Sequence, residues 1–242
     1  MSTADTDFSS IICQSSLIEA QVCYERSVVF LGTVKAYRKL ANVNLAIIDL
    51  QEKSHSTPPV DTIVTTAISV IESYVQIIQK AGNFPLQDVL GILTTMIKFG
   101  HHNEVALSAE KAFAELPIDC WMQAIVQLAA QLNYPSKKFQ LIIESHMKRL
   151  SRAHPHTMLS TLSAVVQFPN KQRADIAKKL LDLMRLYDEE IVDEALLLNK
   201  ELIRASMTWE ELAIGAVERA AKYLFSTDEA KSELYIPARV AG

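Results

Sequence analysis

Tyr134-Pro135-Ser136-Lys137-Lys138-Phe139-Gln140-Leu141-Ile142-Ile143-Glu144-Ser145-His146-Met147-Lys148-Arg149-Leu150 decides the fold class. A proline opens it, where a missing N–H costs a helix nothing. Phe139, Ile142 and Ile143, Met147 and Leu150 then recur every three or four positions, the repeat of one helix face. The same pattern appears on both sides. Tyr37, Leu40, Asn44 with Leu45, and Ile48 trace one stripe, and Ile176, Leu180, Met184 and Tyr187 trace another. Sustained alternation of period two, the mark of a half-buried strand, is absent. An amphipathic helix must bury its stripe against a neighbour, so the fold is read from how such helices follow one another.

Short breaks separate the stripes. Thr57-Pro58-Pro59, Ala81 to Pro85, Gly100 to Asn103, Leu116-Pro117, Asn133 to Pro135, His154-Pro155 and Phe168 to Asn170 carry turn and helix-stop residues. Helices are predicted at about 8–31, 34–52, 60–80, 86–99, 103–115, 118–132, 136–152, 156–167, 171–187 and 189–225. Helix pairs at a spacing of about 35–40 residues fall in the range of tetratricopeptide and HEAT repeats. The expected architecture is all-α: an α-solenoid of degenerate repeat pairs ending in one long helix. A compact irregular bundle is the rival. The last helix carries Ile191, Ala195, Leu198, Leu202, Ala205 and Trp209 at steps of three and four, and no proline interrupts 170–236. One helix over 189–225 would be ~55 Å long. Its first half is expected to pack on the solenoid, and Trp209, Val217 and Phe225 to form an exposed apolar patch.

Composition sets bounds. The chain has 242 residues, 49% hydrophobic and 21% charged, with only 6 Gly and 8 Pro, which favours long regular elements. A net charge of -4 gives no general attraction to nucleic acid or anionic membranes. No apolar run approaches the ~18 residues that span a bilayer. Cys13, Cys23 and Cys120 are odd in number and far apart, so free and mostly buried thiols are expected. With a polar, acidic start at Met1 to Asp7 in place of a signal peptide, the expected location is cytoplasmic.

Neither GxxxxGK[ST] nor GxGxxG occurs, and no segment offers the metal-binding Asp and catalytic-loop Asp and Asn that a protein kinase needs. His101-His102 and His154-Pro155-His156 lack ligand partners at metal-binding spacing and read as turn residues. Asp188, Glu189 and Glu190 suit a helix N-terminus better than acid–base chemistry. Lys171, Arg173, Lys178 and Lys179 read as a solvated helix face. Trp121 is expected as a core anchor with Ile125, Leu128 and Leu132, and core packing is the default for Trp209 as well. No cofactor or metal is expected, and the chain is expected to be non-catalytic.

One stretch within the long final helix, Glu201-Leu202-Ile203-Arg204-Ala205-Ser206-Met207-Thr208-Trp209-Glu210, resembles the entry into the rapamycin-binding segment of the target-of-rapamycin kinases, of the phosphatidylinositol-3-kinase-related family. Three more segments extend the resemblance in order. Gly82-Asn83, Leu86-Gln87-Asp88, Leu93-Thr94 and Phe99-Gly100 look like a helix of that family's FAT domain. Ile118 to Leu128 is similar to its Asp-x-Trp-Leu-Gln-x-Ile-x-Gln-Leu helix, and His154-Pro155 with Met158-Leu159 to its His-Pro-Gln-Ala-Leu-Ile segment. The match runs from about 80 to 225; residues 1–80, with Cys23-Tyr24-Glu25-Arg26, are compatible with earlier FAT repeats.

The resemblance implies a FAT-like helical-repeat region at 1–200, the first helix of a rapamycin-binding-type bundle at 201–225, and a tail at 226–242. It implies a non-catalytic piece that scaffolds the kinase domain and the protein partners of target-of-rapamycin complexes. Departures are specific. Ser160-Thr161-Leu162 stands where the family has Tyr-Pro-Leu, Ala213 where it has a second Trp, and Ala221 where it has a serine central to drug contact. Ala221 and Phe225 are the vestigial rapamycin-segment positions. The alternatives are a free-standing α-solenoid adaptor for protein partners and a helical-bundle enzyme. The second of these has no acid–base, metal or nucleophile constellation to support it.

Overall fold

The computed structural model of this protein describes residues 3–53, 60–167, 170–206 and 209–225, and among them the side chains of 3–14, 60, 210, 212 and 223–225 are not described. Eleven α-helices and one 3₁₀ segment account for these residues, with no strand among them. In order they are α1 (Thr3–Leu31), α2 (Val34–Lys53), α3 (Val60–Ala81), α4 (Leu86–Phe99), α5 (Asn103–Glu115), the 3₁₀ segment (Ile118–Ala124), α6 (Ile125–Ala130), α7 (Lys137–Ala153), α8 (Pro155–Val166), α9 (Lys171–Arg185), α10 (Glu189–Ser206) and α11 (Trp209–Phe225). From α1 to α10 each helix packs on its next or next-but-one neighbour: α1 on α2, α2 on α3, α3 on α4 and α5, α5 on α7, α6 on α8, α7 on α8 and α9, and α10 on α8 and α9. That serial packing is an α-solenoid.

The ends of the helices follow from single residues. Gly32 and Gly82 take left-handed φ of 55° and 66°, which lets each N–H turn back to a carbonyl of the last helical turn, Val28 and Ile78. Pro155 occupies the first turn of α8, and the Asn170 side chain caps α9 by accepting from the Arg173 N–H at 3.0 Å.

Two expectations change. The predicted helix at 118–132 is a 3₁₀ segment followed by a short α-helix ending at Ala130. Ile118, Trp121 and Ala124 are three apart, which aligns them at three residues per turn, and the core takes them in that register. Tyr187 does not close the α9 stripe: α9 ends at Arg185, and the turn leaves Tyr187 80% exposed. For the long last helix, the structure describes helix on both sides, to Ser206 and from Trp209, while Met207 and Thr208 lie outside the described residues.

The core is continuous from α2 to α10. Its densest point is aromatic: Phe113 of α5 lies 4.6 Å from Trp121, ring centre to ring centre, and 4.2 Å from His146 of α7. Trp121 is fully buried, as its stripe predicts, with Ile125, Leu128 and Leu132. Long polar side chains tie successive helices by donating to carbonyls: Tyr134 Oη to Ile97 at 2.7 Å, Arg149 Nη1 to Phe113 at 3.0 Å, and Gln123 Nε2 to Phe84 at 2.9 Å. Such groups satisfy carbonyls that the ends of helices leave open.

Gly100, directly after α4, lies against Phe139 of α7. A Cβ built there would lie 2.8 Å from the Phe139 ring and 2.5 Å from the Met96 carbonyl oxygen. Phe139 is fully buried and the carbonyl is backbone, so neither can retreat cheaply. Gly100→Ala is expected to destabilise the fold by about 1–3 kcal/mol, the range of core overpacking. A denaturant melt with an unchanged midpoint would show that α4 and α7 are not held so closely.

Candidate partner-binding surface

The titratable groups buried in the solenoid are structural in their surroundings. Asp88 of α4 is almost fully buried and receives Arg38 Nη2 of α2 at 2.6 Å. Burial raises its pKa, and Arg38 pulls the other way. A second pair, Lys98 to Glu52 at 2.6 Å, joins the same two helices at the surface. These are clips between helices, since no nucleophile or metal-ligand set converges on them. Among the described residues no group of three His, Cys, Asp or Glu side chains could hold a metal ion.

His146 is the most perturbed group. It is 2% exposed, stacks on Phe113 and meets Trp121 edge-on at 5.5 Å. Neither of its ring nitrogens, nor the Trp121 indole N–H, has a hydrogen-bond partner among the protein groups. Burial pushes its pKa down to about 3, helped by the nearby Arg149 charge, so the ring is neutral at physiological pH. Cys120, also buried, is pushed up to about 12 and stays a thiol, whereas Cys23 is exposed on α1. Of the thiols expected to be mostly buried, Cys120 is buried and Cys23 is not, because that face of α1 has no neighbour among the described helices, and the Cys13 side chain lies outside the described ones.

The histidine pairs are where the breaks place them. The rings of His101 and His102 lie 4.0 Å apart, tilted by 45°, in the turn before α5. His154 sits at the α7–α8 joint with Nε2 2.7 Å from Asp119 Oδ1, a close contact outside hydrogen-bond geometry. Asp188 accepts from the Ile191 N–H at 3.1 Å and so caps α10, while Asp193 pairs with Arg185 at 2.6 Å. Arg173 leaves the expected solvated basic face to donate to Asn133 at 3.2 Å, and Lys171, Lys178 and Lys179 remain exposed.

The surface features lie elsewhere. α10 docks through Val192, Ala195, Leu196 and Asn199, whose amide donates to Ser163 of α8. This docked face is turned by one position from the expected stripe. Ala195 is common to both, but Ile191, Leu198 and Leu202 are exposed. On α11 Trp209 is 70% exposed, against the default of core packing, and Ile214 and Val217 are exposed with it. Trp209 and Val217 thus form part of the expected apolar patch. Ala221 is partly buried on α11, and the Phe225 side chain, one turn on, lies outside the described ones.

A hollow of about 440 Å³ opens where the α7–α8 joint faces the α9–α10 turn. Pro155, Leu159, Met184, Ile191 and Val192 give it an apolar floor, with Arg152 and His156 on one rim and Asp188 on the other. Sequence reading missed this place. The available signals were the basic steps at Lys148, Arg152 and His156 and the apolar Leu186-Tyr187 in a turn.

The fold and these surfaces define an all-α helical-repeat segment whose recessed surface is apolar. No protein-family model matches the chain. It is similar to target-of-rapamycin kinases: 27% identical over 214 residues to the serine/threonine-protein kinase tor1 of Schizosaccharomyces pombe, covering 88% of the chain and 9% of tor1. Against serine/threonine-protein kinase mTor of Drosophila melanogaster the identity is 24% over 96% of the chain and 10% of mTor. Against serine/threonine-protein kinase TOR of Oryza sativa it is 29% over 58% of the chain and 6% of that protein. The chain is thus similar in sequence to one segment of each of these kinases, and it spans about a tenth or less of their length.

Two outcomes follow. His146 is neutral in the fold and protonates readily, near pH 6.5, only when unfolded, so the unfolded state binds more protons between pH 6.5 and about 3. Its contribution is complete above the unfolded value and falls as the pH drops through that window; at pH 5 the loss is about 2 kcal/mol. Replacing it by Phe should remove that part of the acid sensitivity, so the stability gap between His146→Phe and the parent should shift in favour of the variant by that amount from pH 7 to pH 5. A gap independent of pH would mean that the ring is hydrated. Hydrogen exchange should also find α11 less protected than α10, because α10 buries Val192 against the solenoid and α11 exposes Trp209, Ile214 and Val217. Equal protection in a monomer would mean that this face of α11 is covered.

Proposed function

We propose that the chain is a non-catalytic FAT-type helical-repeat segment, leading at 201–225 into the first helix of a rapamycin-binding-type bundle, and that it scaffolds a target-of-rapamycin kinase domain and its protein partners. The single supporting observation is the similarity to such kinases along 88% of the chain, laid over an all-α stack. The relatives are named as serine/threonine kinases, and the proposal assigns their chemistry to parts that this segment does not match. A signalling role in growth and nutrient response, and a cytoplasmic location, belong to the same proposal. A repeat stack suits such work because each added helix extends a rigid surface without a new core.

The second reading is a free-standing adaptor. The exposed Leu198, Leu202, Trp209 and Ile214 favour it, since contiguous apolar surface on a helical stack marks a partner site whatever the partner is. The two readings separate in one reconstitution. Purified chain should transfer no phosphoryl group by itself and should co-elute with a separately produced kinase segment of the fission-yeast tor1. A folded chain that ignores the kinase segment at tens of micromolar would leave the adaptor reading in place of the scaffold.

A further inference from the structure

We propose that the exposed face of α10 and α11 is a self-association surface, on which a second copy of the chain docks with its own α10 and α11 running antiparallel. Large exposed apolar residues concentrate there. Ile191, Leu198 and Leu202 of α10 and Trp209, Ile214 and Val217 of α11 are between 40% and 70% exposed. Ile191, Leu198, Leu202 and Trp209 follow one another at steps of seven, four and seven, the spacing of one helix stripe. The solenoid takes the neighbouring stripe of α10, through Val192, and leaves this one outward. α11 has no extensive contact with another described helix. Apolar surface of this extent on a helix marks an interface.

Charge selects the occupant and its direction. Glu190 and Glu194 lie at the start of α10, and Arg219 and Lys222 at the end of α11. All four are exposed and have no ion-pair partner among the described residues. A face acidic at one end and basic at the other complements a reversed copy of itself. With a two-fold axis near Ser206, Glu194 meets Arg219 of the second copy and Glu190 meets its Lys222, and both contacts occur twice. Leu198 then falls beside Ala216 of the second copy, and Leu202 beside its Trp209. A parallel pair would set Glu194 against Glu194 and Arg219 against Arg219, which repel. The pairing requires α10 and α11 to continue in one line, and no proline occurs in 189–225. Such a face, ~55 Å long and ~10 Å wide, offers about 550 Å² per copy. The pair then buries about 1,100 Å², just above the ~1,000 Å² that a specific interface needs. A two-fold pair uses the same patch on both copies, so one surface serves both sides. This inference does not rest on the scaffold reading, and its test uses the chain alone.

The test is sedimentation equilibrium of the full chain from about 1 to about 200 µM, the range over which a micromolar complex forms. A monomer–dimer equilibrium should appear, and hydrogen exchange in α11 should slow as the dimer fills. Leu198→Glu should abolish the dimer. Glu194→Arg should weaken it at least tenfold, and so should Arg219→Glu. The double variant, with both changes, should recover most of the loss, because the reversed pair is restored only in the antiparallel arrangement. These positions are exposed, so all the variants should melt as the parent monomer does; Lys171→Glu, on a solvated face, is the control. A chain that stays monomeric throughout, or a dimer that Leu198→Glu leaves intact, overturns the proposal. So does a Glu194→Arg defect that Arg219→Glu does not repair. A monomer with α11 already protected would give the stripe to another segment of the same chain and would also overturn it.

Discussion

The contact of Phe113, Trp121 and His146 holds the middle of the stack together. It joins α5, the 3₁₀ segment and α7, which are consecutive layers of the solenoid, and Arg149 reinforces it by donating to the Phe113 carbonyl. A linear stack has no closed core, so each layer is stable only through its two neighbours. Removing a large aromatic from one joint costs about 3–5 kcal/mol. That is comparable to a sizeable part of the net stability of a domain, about 5–15 kcal/mol. The joint also carries polar atoms without partners, at Trp121 and His146. Its stability therefore rests on apolar area and ring contact rather than on hydrogen bonds, and it depends on the histidine staying neutral.

Most of the fold was legible because helical periodicity is a property of the local sequence. The breaks at Pro85, Gly100 to Asn103 and His154-Pro155 placed α4, α5, α7 and α8 to within a residue or so. Two kinds of information were not local. The tightening at Ile118 to Ala124 depends on which register the core accepts, since the same residues suit a helix of either pitch. The facing of α10 depends on where α8 and α9 lie. Ile191, Leu198 and Leu202 and the docked set Val192, Ala195, Leu196 and Asn199 are adjacent stripes on one helix. Sequence alone ranks the first higher because it is more apolar. The packing prefers the second because Asn199 reaches Ser163 and the smaller Val192 and Ala195 admit a close approach.

The candidate site was less legible for the same reason. Sequence reading looked for chemistry in the histidine pairs and acidic runs, and the structure places these in turns, caps and ion pairs. Arg152 and Tyr187 are 35 positions apart and gain meaning only when α7 and the α9–α10 turn meet. Each alone is an ordinary surface residue. A groove made at a joint between helix pairs has no local signature, because its lining comes from helix ends and a turn that are far apart in sequence.

The two faces of α10 connect these points. A helix docked by one stripe and apolar on the next exposes hydrophobic area that a monomer would ordinarily cover with charge. On α10 part of the charge is engaged: Arg204 reaches Glu201 at 2.9 Å, and Asp193 is held by Arg185 of α9. The exposed stripe begins at Ile191, which also floors the larger hollow, and runs through Leu198 and Leu202 toward Trp209. The hollow and the stripe are therefore neighbouring parts of one surface that meet at Ile191.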